Sequence, residues 1–93
     1  MSLSSEPSEK AHSFEIHVVY NGVSKAIRHV ESQELVSALL QRALEEFGVR
    51  DRPHAYALYR LSGEEIPNDR TVHAAGIEKD AKLLLREKIV GGG

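Results

Sequence analysis

Between Phe14 and Tyr20 the chain alternates. Phe14, Ile16, Val18 and Tyr20 fall on one side and Glu15, His17 and Val19 on the other, the period of a half-buried strand. Asn21-Gly22 follows, a pair suited to the positive φ angles of a tight hairpin turn. A second strand is therefore expected over Val23 to Val30, pairing Tyr20 with Val23 and Ile16 with Ile27 on the inner face. Glu15 then meets Arg28 on the outer face as a charge match. That register leaves Val30 facing outward and admits a bulge near the end of the strand.

The period then changes. Leu35, Val36, Leu39, Leu40, Ala43, Leu44 and Phe47 recur at helical spacing, with Gln41, Arg42, Glu45 and Glu46 opposite them. This predicts a one-faced amphipathic helix of about four turns. Ser32 is its expected N-cap, Glu34 suits the first turn, and Gly48 ends it as a residue free to take positive φ.

Beyond a polar loop containing Pro53, Ala55 to Leu61 reads as a third strand and Ser62-Gly63 as a turn. Glu65-Ile66-Pro67 reads as a short edge strand ended by proline. Thr71 to Gly76 has room for one helical turn, and Ala81 to Ile89 forms a last strand with Leu83 and Leu85 on one face and Leu84 and Arg86 on the other. One apolar helix face must serve all these strands. The compact solution is a two-layer α+β fold: a mixed sheet of four to five strands wrapped around one helix, the β-grasp.

Composition narrows the chemistry. Ninety-three residues make one domain with a small core. Residues 1–12 carry too little apolar surface to order themselves, so the domain is expected over 13–89, followed by a flexible glycine tail over 90–93. The absence of cysteine excludes a disulfide scaffold, a thiolate metal site and a Cys nucleophile in this chain. A net charge of −2 gives no basic footprint for nucleic acid. No apolar run is long enough for a membrane span, and the first residues do not read as a secretory signal. The expectation is a cytoplasmic monomer.

No enzymatic centre is legible. His12, His17, His29, His54 and His73 show no metal-ligand spacing. Glu45-Glu46 and Glu64-Glu65 are chain neighbours that do not converge on one reacting atom, and no nucleophile triad or phosphate loop can be assembled. Neither a catalytic residue, a metal nor a cofactor is expected. The remaining feature is the glycine run Gly91-Gly92-Gly93 directly after the last strand.

From Gly63 onward, SGEEIPNDRTVHAAGIEKDAKLLLREKIVGG resembles the second half of ubiquitin without a gap. Gly63, Arg70, Thr71, Ile77, Lys79, Leu83, Leu85, Gly91 and Gly92 match residue for residue. The segments FEIHVVYNG and LLQRALEEFGV resemble small bacterial ubiquitin-like proteins. The resemblance implies a protein modifier, with a partner activating enzyme that uses ATP and a deconjugating metalloprotease. The carbonyl of the terminal glycine would become an acyl donor, since a narrow active-site channel admits bare backbone where a Cβ would clash. Gly93 extends beyond the ubiquitin end, and Lys88 stands where ubiquitin has an arginine that helps select its activating enzyme. Two other functions share this fold: a sulfur carrier with a terminal thiocarboxylate, and an accessory subunit that binds through its sheet.

The resemblance also directs attention to the outer sheet face. Strand alternation puts Tyr56, Leu58 and Arg60 there, opposite Ala55, Ala57, Tyr59 and Leu61, and adds Leu84, Arg86 and Lys88 from the last strand. A surface of Tyr, Leu and Arg suits a protein interface.

Overall fold

The computed structural model describes residues 13–88; residues 1–12 and 89–93, including Gly91, Gly92 and Gly93, lie outside them. Strands β1 (Ser13–Tyr20) and β2 (Val23–Glu31) form the hairpin, followed by helix α1 (Val36–Glu46), β3 (Tyr56–Arg60) and β4 (Lys82–Glu87). The sheet has four strands in the order β2-β1-β4-β3. β1 and β4 run parallel in the middle, and the two outer pairs are antiparallel. The expected β-grasp arrangement is present, with one helix packed on one sheet face. Glu65 contributes one isolated bridge to Tyr59, so the short edge strand reduces to a single contact.

The hairpin has the expected register, with Tyr20 opposite Val23 and Ile16 opposite Ile27, and Asn21 and Gly22 both at positive φ. A bulge does interrupt it. The register shifts between Phe14 and Ile16, so Phe14 pairs with Val30. The extra residue turns Val30 inward, where it is fully buried. His29, next to it, takes φ 59°.

The helix starts later than expected, and Ser32 does not cap it. Residues 32–35 run beside the 68–73 loop, where the Ser32 and Glu34 carbonyls accept from His73 and Val72 N–H at 2.9 and 2.7 Å. The first helical N–H groups are met by main chain instead: Val36 N–H donates to the Arg70 carbonyl and Ser37 N–H to that of Asn68. Glu34 therefore lies before the first turn, and Leu35 faces solvent at 48% exposure. Val36, Leu39, Leu40, Ala43 and Leu44 are buried as expected. Gly48, at φ 71°, follows the Phe47 cap.

The apolar helix face packs on Ile16, Val18, Ile27, Val30, Leu58, Leu83 and Leu85, closed at the loop end by Ile66, Val72 and Ile77. The Thr71–Gly76 turn forms through Ala75 N–H to the Thr71 carbonyl, and the Thr71 hydroxyl accepts from Ala74 N–H at 3.0 Å. Gly63 closes the turn after β3 at φ 100°.

One expectation is inverted. β3 begins at Tyr56, because Ala55 ends a 3-10 turn over Pro53–Ala55. Leu58 pairs with Leu85 and shares its core face, so Leu58 is fully buried rather than outward. Tyr56 packs against the core on the same side. Arg60 follows the same phase and is a structural residue: its guanidinium donates to the Ala75 carbonyl, and its Nε lies 3.6 Å from Glu64. Ala57 and Tyr59 take the outer face. Leu61 falls beyond the strand end and is 60% exposed. The stretch YALYRL carries apolar residues at both phases of the strand period, so alternation alone could not choose between them.

Candidate interaction face

The outer sheet face is built by register. β4 lies in the centre with Lys82, Leu84 and Arg86; β1 places His17 beside Lys82 and Val19 beside Leu84; β3 places Tyr59 beside Leu84 and Ala57 beside Arg86. Leu84 and Val19 are half-buried and Arg86 is exposed. The Arg86 guanidinium lies 5.5 Å from the Tyr59 ring centroid, and Tyr59 as a residue is 5% exposed. The arginine covers an aromatic ring while keeping its charge in water. Lys88 follows β4, exposed, with its N–H donating to the Ala55 carbonyl at 2.7 Å.

Leu84 and Arg86 thus face outward as expected and Lys88 is exposed, whereas Tyr56, Leu58 and Arg60 leave this face to Val19 and Lys82 and to Tyr59 and Ala57, both of them buried. Tyr59 would have been found by choosing the opposite strand phase. Val19 and Lys82 depend on the parallel pairing of β1 with β4, strands far apart in sequence.

His17 lies on this face, its Nε2 3.9 Å from a Glu15 oxygen and 4.0 Å from Asp80. Among the described residues no group of three or more His, Cys, Asp and Glu side chains is arranged to hold a metal ion, and no helix is long and apolar enough to cross a membrane.

At the end of the sheet where β4 exits, Tyr20 meets Phe47 and Tyr56 edge-on, with centroids 5.4 and 6.1 Å apart. The Tyr20 and Tyr56 hydroxyls are 3.5 Å apart. Their hydrogen bond, aided by burial and by the charge of Glu87, raises the Tyr56 phenol above its ordinary value of 10.0, while Arg52 opposes the shift. Arg52 itself pairs with Glu87 at 3.1 Å. Glu87 pairs with Tyr56 in the sheet and is the last residue of β4, after which Lys88 to Gly93 continue the chain.

The fold is that of the ubiquitin-like β-grasp. A de novo design based on ubiquitin superimposes with a TM-score of 0.71 at 20% identity, covering 88% of this chain and 96% of the design. An Arabidopsis thaliana protein, At2g32350, gives a TM-score of 0.67 at 16% identity, over 87% of this chain and 93% of that one. ATBAG1, crystallised in complex with HSP70, gives 0.70 at 16% identity, over 83% of this chain; the match spans 41% of ATBAG1. No protein-family model matches the sequence, and no curated protein matches it.

Proposed function

We infer that this chain is a ubiquitin-like protein modifier, of the kind the sequence resembles in small bacterial proteins. The observation that carries the reading is positional: a ubiquitin-like β-grasp whose central strand β4 ends at Glu87 is followed, after Lys88-Ile89-Val90, by Gly91-Gly92-Gly93. A partner enzyme using ATP would adenylate a free carboxylate at the end of the glycine run, releasing pyrophosphate, and its own cysteine thiol would take the acyl group, releasing AMP. A target amine then displaces the thiol and forms an amide. The domain supplies binding surface for these partners through Val19, Leu84, Arg86 and Lys88, and a deconjugating metalloprotease would hydrolyse the amide. The described residues contribute docking, and the glycine run contributes the acyl group.

The test is mass spectrometry of the full chain incubated with ATP, Mg²⁺ and a soluble extract of its source cells. A glycine remnant of this chain on target lysines is the expected product. A sulfur-for-oxygen mass shift with no lysine remnant would replace the modifier with a sulfur carrier. An unchanged chain bound noncovalently to a partner would make it an accessory subunit.

A further inference from the structure

The two outer strands of the sheet are protected differently. Residues 64–66 cover β3: Arg60 N–H donates to the Glu64 carbonyl at 2.8 Å and Ile66 N–H to that of Leu58 at 2.9 Å. Among the described residues no main-chain segment covers β2, whose Val23–Glu31 run is exposed at most positions. An open edge of this length is a template for pairing with another strand.

Two cationic side chains span the gap between α1 and β2. Arg42 reaches from the helix to the bulge, where its guanidinium donates to the Arg28 carbonyl and, at 3.3 Å, to the His29 carbonyl. A bulge interrupts ladder bonding, so these carbonyls lie where the edge is most in need of partners. Glu34 holds the guanidinium from behind, with Nη1 3.0 Å from each carboxylate oxygen. The Glu34 side chain is only 14% exposed against 36% for Arg42, which makes it an anchored clamp rather than a loose surface pair. At the other end Lys25 reaches back to the Glu46 carbonyl at 3.4 Å and lies 5.7 Å from the centre of the Phe47 ring. Between the two straps a recess of about 480 Å³ is lined by Ala26, Ile27, Arg28, Arg42 and Glu46.

We propose that Arg42, anchored by Glu34, guards the β2 edge: it occupies main-chain acceptors at the bulge and holds a charge there, so that a second copy of this chain cannot pair along β2. The occupant that it excludes is the chain's own β2, because an antiparallel strand edge is self-complementary under a two-fold axis. The guard acts through its fork of donors, which a lysine ammonium cannot reproduce at two carbonyls while also meeting a carboxylate.

The experiment compares wild type with Arg42→Ala, Arg42→Lys and Glu34→Gln by sedimentation equilibrium from about 10 μM to about 1 mM, the range in which exposed strand edges associate. Circular dichroism establishes that each variant is folded. Amide hydrogen exchange locates any new contact. The wild type should stay at the 10.3 kDa monomer mass. Arg42→Ala should rise towards twice that mass with new amide protection confined to β2, and Arg42→Lys should fall between the two. Should Arg42→Ala fail to fold, Glu34→Gln, which keeps the arginine but releases its anchor, should show the same rise. Folded Arg42→Ala or Glu34→Gln at the wild-type mass throughout the range overturns the proposal. So does a wild type that already pairs through β2, or new protection on the outer sheet face instead.

Discussion

Arg86 lies over the ring of Tyr59, 5.5 Å from its centroid, on a sheet face that also carries Leu84 and Val19. A cation over an aromatic ring, with its charge still in water as that of the exposed Arg86 is, contributes about 0.5–1 kcal/mol. Arg86→Gln should lower stability by about that amount, read as a small shift in the urea midpoint, and uncover the ring to solvent. Its fluorescence should then become more accessible to a neutral quencher. An unchanged midpoint and unchanged quenching would show that the arginine does not cover Tyr59.

The phase of β3 has its own test. Leu58 pairs with Leu85 in the core, while Leu84 is half-buried on the opposite face. Leu58→Ala should cost on the order of 2–5 kcal/mol, and Leu84→Ser much less. Denaturant unfolding of the two variants distinguishes the faces. Equal costs, or the reverse order, would restore Leu58 to the outer face. For partner binding the roles exchange: Leu84→Ser should weaken association with a captured partner, and added salt should weaken it further through Arg86 and Lys88.

Much of this fold was legible because local chemistry and packing agree. Asn21-Gly22 dictates the hairpin register, and Val36, Leu39, Leu40, Ala43 and Leu44 mark one buried helix face. What the pattern missed depends on partners distant in sequence. Ser32 looked like a cap, but its carbonyl is taken by His73 and the helix start is met by residues 68 and 70. Leu58 looked outward because YALYRL is apolar at both phases, and only pairing with β4 decides between them. The outer face was therefore half legible: Leu84 and Arg86 were placed by alternation within one strand, while Tyr59 and Val19 required the sheet order β2-β1-β4-β3.

Helix packing is the main source of cohesion between the two layers. Leu39 is fully buried within a cluster that includes Ile16, Val18, Leu83 and Leu85. Leu39→Ala should destabilise by about 2–5 kcal/mol, a large part of what a small domain has. Thermal unfolding monitored by circular dichroism checks it. A melting point within measurement error of wild type would contradict the assignment of that face.

High pH should loosen the Tyr20–Tyr56 end of the sheet. The folded state holds the Tyr56 phenol above 10.0, chiefly through the Tyr20 hydroxyl, so the unfolded chain releases that proton first. The stabilisation from this group is complete below the unfolded value and declines as pH rises from there through the folded value. Tyr20→Phe removes the hydrogen bond and should bring the Tyr56 titration, followed by tyrosinate absorbance, down towards 10.0. A titration that does not move would separate the two hydroxyls.

The proposed function rests on the glycine run, and Gly92→Ala together with Gly93→Ala addresses it while leaving the sequence of residues 13–88 unchanged. Both positions follow β4 in the chain and carry no side chain beyond hydrogen. Melting behaviour should therefore match wild type. ATP-dependent transfer to a partner thiol, followed by mass spectrometry of the thioester, should be abolished, because a Cβ at each position obstructs a channel shaped for bare backbone. Transfer of the double variant at the wild-type rate would contradict the modifier role.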